Sequence, residues 1–533
     1  MMERSEVRIQ ARAIAEAVIL HAERIPDARA LADKEGPVTY GQLKDRMFLC
    51  ARTLKGLGVK PGDRVVMECT QDAFFVTVNL ACQLLGAVFV GVERKVARGR
   101  LEEILLQTQP VLLVTIRKTE PVFLQTVRKT EPVPLQTNRK AEPADGGLKY
   151  LTAKELKELL CQEAESGASF AEDGSSLAQG AHLERNRTAE IMFSTGTTGK
   201  TKGAVLTNGA NVANAQNIID GVQMEPDAVE MIPLPINHAH GLRTIYAHLL
   251  NGSCALIANG ITFPRVLLDM MQKYGANAID LSPSAANMLI STSEGRLKEE
   301  AAPSIRYVEV GTAFLPETTK ARLRECFPGA RLYNFYGSSE SGRTCCLEFG
   351  RGKSQPGCIG RPVPNAHFAV LDEDGNPMES DAAHTGTLAC AGPMNMSGYW
   401  REPVLSAETQ KNGYVLTADV AYIDKDGYIY VLGRQDDVIV YKGIKISPEE
   451  IEEAAKGCSL VADCACIPAA DALAGQVPKL FVVPEDPDSV RVEDIFAYLK
   501  QHIDDNRMPR TIELISQIPR TYNGKILRRE LAK

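Results

Sequence analysis

Aromatic residues are scarce in this chain: they make up 6% of its 533 residues, and only one of them is tryptophan. An excess of basic charge is also absent, since 60 Lys and Arg face 67 Asp and Glu, for a formal net charge of −7. Nucleic-acid-binding proteins usually carry such an excess, so we expect no nucleic-acid partner. The remaining composition, 44% apolar and 24% charged, is that of an ordinary globular protein. The length predicts about three or four structural units.

A secretory signal is missing from the start of the sequence, because residues 1–6 carry acidic side chains where such a signal has an apolar core. We therefore expect a cytoplasmic protein. One charge-free run, residues 74–92, has about the length of a membrane span, but it contains Thr77, Asn79 and Gln83. Its pattern favours a buried helix followed by a strand, and we expect no membrane span.

CxxC pairs are missing among the 13 cysteines, and the closest groups of cysteines lack the spacing of a zinc site. An odd number of cysteines also fits a disulfide framework poorly. We therefore expect free thiols, as in intracellular proteins.

Helical and strand periods alternate over residues 38–115 and again over residues 190–336, a pattern that predicts parallel strands with right-handed crossovers. After residue 434 the pattern changes to that of a compact α+β unit, in which Ser447, Pro448 and Glu450 match a capping box at the start of a helix. The expected fold class is α/β. A large N-terminal domain, residues 1–435, consists of packed α/β subdomains with parallel-rich sheets, and a small α+β domain covers residues 436–533.

An eleven-residue repeat occupies residues 117–143, where Arg-Lys-Thr-Glu-Pro or a close variant occurs three times. The proline in each copy excludes a continuous helix. We interpret the repeat as an expanded surface loop without a function of its own. The alternative is a binding strip for an acidic partner, since six basic residues face three acids here.

The most informative segment is residues 194–203, which contain three glycines, five hydroxyl side chains and two lysines directly after an apolar strand. Backbone N–H groups and hydroxyls in such a loop bind phosphate oxygens, so the composition predicts a nucleotide-phosphate loop. A kinase or ATPase P-loop would need glycine at Ser194 and a helix that starts at the lysine. Instead an apolar run follows at residues 204–206, and a helix cap comes only at Thr207 or Asn208.

The same segment resembles the [ST]SGTTGxPKG motif of the adenylate-forming superfamily, which includes acyl-CoA synthetases, luciferases and peptide-synthetase adenylation domains. Further motifs follow in that family's order: residues 336–340 resemble YGxTE, residues 417–419 resemble TGD, residues 433–437 resemble GRxDD, and residues 519–525 resemble PxTxxGK. The resemblance covers most of the chain. It implies an AMP-forming carboxylic acid ligase, which converts an acid and ATP to acyl-AMP and pyrophosphate and then transfers the acyl group to coenzyme A.

The resemblance implies the roles of individual residues. Lys525, in a mobile C-terminal domain, bridges the carboxylate and the α-phosphate, and Glu340 is a catalytic residue and a Mg²⁺ ligand. Tyr336 stacks on adenine, Asp419 binds the ribose hydroxyls, and Arg434 reaches the ribose or the phosphate. The implied ATP- and AMP-binding residues are Ser194, Thr195, Gly196, Thr197, Thr198, Gly199, Lys202, Tyr336, Gly337, Ser339, Asp419 and Arg434.

The resemblance also places a hinge at Asp436 and brings Gly443 to the tunnel for the incoming thiol after the C-terminal domain rotates. Ala418 departs from the family pattern, which has glycine beside the ribose-binding aspartate. A backbone conformation with positive φ is therefore in doubt at this position.

His238 is expected beside the acyl pocket as a catalytic-site residue, and Gly311 and Thr312 are expected to line that pocket or the adenine site. Phe314 belongs either there or to the core. His238 and His240 also form an HxH pair, but two ligands alone make no metal site. An aspartate that would hold an amino-acid substrate is absent from residues 233–242, which disfavours such a substrate.

Two alternatives stay open. The acyl-AMP could be passed to the phosphopantetheine of an acyl carrier protein instead of coenzyme A, or the chain could be a nucleotide-binding regulatory protein with a decayed site, as Thr201, Ser339 and Ala418 suggest. The expected cofactors are ATP, Mg²⁺ and coenzyme A or carrier-bound phosphopantetheine. The expected partner is a small-molecule carboxylic acid whose identity the sequence does not give.

Overall fold

The computed structural model describes residues 2–94, 96–116, 148–165, 182–195, 201–261, 263–293, 295–351, 355–441, 444–471, 474–487, 490–505, 507–520 and 526–532. The repeat at residues 117–143 lies outside these residues. Within them, no helix is long and apolar enough to cross a membrane. All 13 cysteines are free thiols.

Fifteen α-helices occur in the described part of the chain. They are α1 (Met2–Gln10), α2 (Ile14–Arg24), α3 (Tyr40–Gly56), α4 (Ala73–Leu85), α5 (Arg98–Thr108), α6 (Ala153–Glu165), α7 (Asn208–Val222), α8 (Ala239–Asn251), α9 (Pro264–Tyr274), α10 (Pro283–Thr292), α11 (Glu317–Cys326), α12 (Pro403–Thr409), α13 (Pro448–Lys456), α14 (Val492–Leu499) and α15 (Arg528–Leu531).

The strands of the same residues form three sheets. They are β1 (Arg29–Asp33), β2 (Gly36–Thr39), β3 (Arg64–Glu68), β4 (Val88–Val92), β5 (Leu112–Thr115), β6 (Lys149–Thr152), β7 (Thr188–Thr195), β8 (Thr201–Thr207), β9 (Val229–Ile232), β10 (Cys254–Ile257), β11 (Ala278–Leu281), β12 (Tyr307–Val310), β13 (Arg331–Ser338), β14 (Gly342–Glu348), β15 (Cys358–Pro362), β16 (His367–Leu371), β17 (Pro377–Met378), β18 (Gly386–Ala391), β19 (Gly398–Tyr399), β20 (Gln410–Lys411), β21 (Tyr414–Ile423), β22 (Ile429–Arg434), β23 (Ile439–Tyr441), β24 (Ile444–Ile446), β25 (Val461–Asp471), β26 (Gly475–Pro484) and β27 (Thr511–Leu514).

The seven-stranded sheet has the order β19-β8-β7-β4-β3-β5-β6, and its strands from β7 to β6 pair in parallel. The charge-free run 74–92 forms α4 and β4 of this sheet, as predicted. The Asp72 side chain caps α4 by accepting from the backbone N–H of Phe75, and Gly86 ends the helix at a φ of +66°.

The 15-stranded sheet combines two kinds of pairing. From β1 through β10, β9, β11 and β12 to β13 its strands are parallel, and from β13 to β17 they are antiparallel. The alternation at residues 190–336 predicts the parallel half, and the expected α/β fold class with parallel-rich sheets is confirmed. The antiparallel half carries the nucleotide-binding candidates after residue 336.

The third sheet, β24-β23-β26-β25 with β27 beside β26, is formed only by residues after 438 and packs its own apolar cluster, which includes Ile451, Cys464 and Leu480. The capping box predicted for α13 is wrong. Ser447 Oγ donates to Glu449 Oε2 at 3.0 Å and does not cap the helix, while Glu450 forms an ion pair with Arg507 at 2.7 Å. Neither side chain therefore makes the hydrogen bond to backbone N–H that a capping box requires.

Candidate active site

The flanks of the phosphate loop form a β-hairpin. Strands β7 and β8 pair so that Ser194 lies opposite Lys202 and Thr195 opposite Thr201, and the predicted phosphate ligands Gly196, Thr197, Thr198 and Gly199 between them lie outside the described residues. After the lysine the chain continues as β8, and helix α7 begins only at Asn208, capped by Thr207 Oγ1. The strand after the lysine is the feature that distinguishes this loop from a P-loop.

A tight turn carries Glu340. Strand β13 ends at Ser338, whose Oγ accepts from the backbone N–H groups of Glu340 and Ser341 at 3.2 and 3.1 Å. Ser339 lies at the tip of this turn. A Cβ atom at Gly337 would lie 2.0 Å from the Gly342 carbonyl oxygen, so this position admits only glycine.

Tyr399 joins Glu340 to the phosphate-loop hairpin. Its hydroxyl donates to Glu340 Oε1 at 2.8 Å, and its ring centroid lies 5.8 Å from Lys202 Nζ. The strand that carries Tyr399, β19, pairs with β8, with Tyr399 opposite Ala204. Our sequence reasoning missed this residue; the signal that could have found it is the adjacent pair of aromatics at 399–400 in a chain poor in them.

Tyr336, Asp419 and Arg434 form a second cluster, on strands β13, β21 and β22 of the 15-stranded sheet. The Tyr336 hydroxyl donates to Asp419 Oδ2, and Arg434 Nε lies 3.5 Å from Asp419 Oδ1. Asp419 is 7% exposed, and it lies opposite Arg434 in the β21–β22 pair. Burial and then the charge of Asp419 raise the pKa of Tyr336 above its ordinary value, which keeps its phenol protonated and donating.

Ala418 adopts the backbone conformation that its family counterpart would reach with glycine. Its φ is +59°, in the left-handed region that non-glycine residues rarely occupy. The alanine therefore keeps the local chain path beside Asp419, at a cost in backbone strain.

His238 is the residue that precedes helix α8, and its Nε2 lies 3.8 Å from Glu93 Oε1. Glu93 in turn binds Arg100 at 2.9 Å. A small pocket opens here, and its lining includes Glu93, Arg100, Phe193 and Asn237. Glu93 and Arg100 were not predicted, and no sequence pattern singled them out.

Gly311 and Thr312 follow strand β12, and Gly311 meets α8 through His240 rather than through His238. A Cβ atom at Gly311 would lie 2.3 Å from His240 Cε1. Thr312 has a φ of +78°. Phe314 is 38% exposed, so of its two expected roles a place in the core is wrong.

The C-terminal candidates are only partly described. Lys525 and Gly443 lie outside the described residues. The hairpin β23–β24 flanks Gly443, and Tyr441 pairs with Ile444 across it. The predicted hinge residue, Asp436, forms an ion pair with Arg529 at 3.1 Å.

Glu340 is the candidate metal ligand of this site. In the described segments, no group of three or more His, Cys, Asp or Glu side chains could hold a metal ion. Glu340 Oε1 accepts from Tyr399, and Oε2 has no hydrogen bond to a described residue. Glu340 can therefore offer one oxygen to a cation whose remaining ligands are phosphate oxygens and water.

Comparison with known proteins identifies the family to which the chain belongs. Residues 20–400 match the model of the AMP-binding enzyme family, and residues 450–525 match that of the AMP-binding enzyme C-terminal domain. A feruloyl-CoA synthase from Amycolatopsis sp is 25% identical over 516 residues, which cover 97% of each chain. A 2-succinylbenzoate–CoA ligase from Bacillus cereus is 27% identical over 513 residues, or 95% of each chain.

Solved structures show the same fold. ATP-bound MatB from Rhodopseudomonas palustris superposes with a TM-score of 0.82 at 23% identity, over 97% of this chain and 98% of that one. MenE from Bacillus subtilis, in complex with ATP and a magnesium ion, superposes with a TM-score of 0.80 at 22% identity, over 97% of this chain and 99% of that one. Since the first family model spans most of the chain, the protein belongs to the AMP-binding enzyme family, as its motifs predict.

Proposed function

We propose that the protein is an AMP-forming ligase that activates a carboxylic acid with ATP and transfers the acyl group to coenzyme A. One observation carries the proposal: the segment 336–340 joins two clusters. At one end Tyr336 binds Asp419 beside Arg434, and at the other Glu340 binds Tyr399 beside Lys202. A nucleotide and its phosphates therefore have candidate partners along a single strand and turn.

The Tyr336 cluster holds the nucleoside. The ring of Tyr336 offers a face to adenine, and its hydroxyl fixes the Asp419 carboxylate, which accepts from the ribose hydroxyls. Arg434 has 47% of its side chain exposed and can reach the ribose or the α-phosphate.

The Glu340 cluster and the hairpin loop hold the phosphates. Lys202 neutralises phosphate charge next to the loop. Glu340 would supply one oxygen to Mg²⁺, and the bound ion would neutralise phosphate oxygens. Like charges on the carboxylate and the triphosphate otherwise oppose their approach, so this neutralisation lowers the barrier. We assign to Lys525 the contact that bridges the two reactants.

Two half-reactions follow. A carboxylate oxygen of the acid attacks the α-phosphorus, and the bond to the pyrophosphate oxygen breaks. In the second step the thiol sulfur, after loss of its proton, attacks the acyl carbon, and AMP leaves with the electrons of the carbon–oxygen bond. Between the steps the unit 436–533 turns about Asp436, which removes Lys525 and brings Gly443 to the thiol.

The identity of the thiol rests on the relatives. The feruloyl-CoA synthase and the 2-succinylbenzoate–CoA ligase, which align with at least 95% of this chain, are named for coenzyme A products. This supports free coenzyme A over carrier-bound phosphopantetheine.

ATP–pyrophosphate exchange over a panel of acids tests the proposal. We expect exchange with one class of acid, AMP release only after coenzyme A is added, and a loss of roughly 100-fold in exchange in Glu340→Gln. The exposed Glu373→Gln is the matched control. Lys525→Ala should lose adenylation and keep thioester formation from supplied acyl-AMP. A folded, ATP-binding protein without exchange for any acid would contradict the proposal.

A further inference from the structure

A buried charged network contacts helix α8, which directly follows His238. Asp280, Glu309 and Glu230 are fully buried on three neighbouring strands, β11, β12 and β9, and Arg343 enters from β14 at 4% exposure. Arg343 binds the carboxylates of Glu309 and Asp280. Burial of four ionisable groups is costly and needs mutual pairing, so this network fixes the groups at its edge.

His240, in the first turn of α8, lies at the edge of this network. Its Nε2 lies 2.6 Å from Asp280 Oδ1, and its backbone oxygen accepts from Arg343. The side chain is 12% exposed, and it comes two residues after His238. The opposite side of the ring lies over Gly311, where an added Cβ would be 2.8 Å from His240 Nδ1. His240 therefore lies between two residues that we assign to the acyl pocket.

The hydrogen bonds of Asp280 determine which ring nitrogen carries the proton. Its Oδ2 accepts from Thr244 Oγ1 at 2.7 Å and from Arg343 at 3.2 Å, so the group is an acceptor at that oxygen. Its Oδ1 then accepts from His240 Nε2–H. Nδ1 is left as an acceptor, and no described residue bonds to it.

The charges around the ring support this assignment. Burial and then the charge of Arg343 lower the pKa of His240, so the ring is neutral. Burial alone would raise the pKa of Asp280, but His240 and Arg343 outweigh it and the pKa is lowered, so the carboxylate is ionised.

We propose that His240 selects the substrate: the acid carries a hydroxyl or neutral amino group on its acyl part, and this group donates a hydrogen bond to His240 Nδ1. This inference rests on the proposed function and names its substrate class. Because Nδ1 is an acceptor, it offers no hydrogen bond to a second carboxylate, which disfavours an acid that carries one here. The next residue after Gly311 is Thr312, whose Oγ1 is buried and has no hydrogen bond to any described residue.

The test compares acids that differ at one position only. Benzoate, cinnamate and octanoate skeletons, each with hydroxyl, amino, methoxy, carboxyl or hydrogen at every ring or chain position, are compared by kcat/KM in pyrophosphate exchange. An unpaired buried acceptor is costly. We therefore expect kcat/KM of the best hydroxyl- or amino-substituted acid to exceed that of its hydrogen and methoxy analogues by at least about fivefold. The hydroxyl and amino arms show which donor the pocket takes.

The variant Asp280→Asn tests whether His240 selects the substrate, because it changes the preference between acids and a purely structural role of His240 would not. Thr244 and Arg343 hold the amide oxygen, so the amide nitrogen donates to His240 Nε2 and the proton moves to Nδ1. The ratio of kcat/KM for the amino-substituted acid to kcat/KM for its methoxy analogue should then fall at least about fivefold. The exposed Asp374→Asn should leave the ratio unchanged.

His240→Phe is the second variant, and it should bring the donor acid and its hydrogen analogue to similar kcat/KM; an unfolding midpoint near that of the wild type shows that it is folded. Equal kcat/KM for all analogues in the wild type, a preference for dicarboxylic acids, or an equal loss for every acid in Asp280→Asn would overturn the inference and leave the ligase function standing. No exchange with any acid would overturn both.

Discussion

The hydroxyl of Tyr399 donates to Glu340 Oε1 at 2.8 Å and so holds the carboxylate to which we assign Mg²⁺. The two residues are 59 positions apart, and β19 brings them together by pairing with the hairpin strand β8. A positioning role follows for Tyr399. Burial and then the charge of Glu340 raise the pKa of Tyr399, so its hydroxyl stays protonated over the physiological range.

Tyr399→Phe removes this hydrogen bond and leaves the ring. A hydrogen bond to a charged group contributes about 1.5–3 kcal/mol, so kcat/KM for ATP should fall roughly tenfold or more. Initial rates over a range of ATP and Mg²⁺ concentrations measure it. Tyr414→Phe is the control, because the Tyr414 hydroxyl has no hydrogen bond to a described residue; an equal loss in both variants would contradict the role.

Asp419→Asn should weaken ATP binding. The variant keeps the shape of the side chain but loses the charge that accepts from Tyr336 and the ribose, and we expect an increase in Kd of roughly tenfold. Calorimetric titration with ATP and Mg²⁺ measures the Kd. Asp374→Asn, at an exposed position, should bind as the wild type does, and an unchanged Kd for Asp419→Asn would exclude Asp419 from the nucleotide site.

Ala418→Gly should stabilise the protein. The alanine has a φ of +59°, which glycine adopts without strain, and we expect the free energy of unfolding to rise by about 0.5–1 kcal/mol. Denaturant unfolding measures it. Ala421→Gly, in the same strand and fully buried, should lower the free energy of unfolding by about the same amount, and loss of stability in both variants would refute the strain.

Glu230→Gln should show a pH-dependent gain in stability over the wild type. Burial raises the pKa of Glu230 from 4.5 to about 8, so between these values the folded protein holds a proton that the unfolded chain has lost. Wild-type stability from this group therefore falls as the pH rises through that window, whereas glutamine has no proton to lose. Unfolding midpoints of both proteins are measured at pH 5, 6, 7 and 8, and the midpoint of the variant should exceed that of the wild type by more at each higher pH. Parallel midpoints would mean that Glu230 is already ionised.

The parallel half of the fold could be predicted because its strands and helices leave local periods in the sequence. Residues 74–92 show this best, since their apolar run gives both α4 and β4. The capping box at Ser447 could not be tested by pattern alone. Whether Glu450 caps the helix depends on Arg507, which lies 57 positions further along the chain and forms an ion pair with the Glu450 carboxylate.

The motifs singled out residues that the fold brings together, such as Tyr336 with Asp419, because the family resemblance assigns both residues to one nucleotide. Contacts outside those motifs left no such trace. Tyr399 and the network around Asp280 and Arg343 depend on strand pairing and on burial, neither of which a local pattern records. His240 shows the difference: the sequence presents it only as one half of an HxH pair, which alone makes no metal site, whereas the fold pairs it with Asp280.

Trp400 makes the proposed phosphate site observable without a label. Its backbone N–H donates to the carbonyl of Gly203, at the end of the phosphate-loop segment, and its indole Nε1 donates to the Gln107 carbonyl at 3.0 Å. It is also the only tryptophan in the chain. Intrinsic fluorescence excited at the indole therefore comes from one known place beside Tyr399, and any rearrangement of that place on nucleotide binding changes the emission of the whole protein.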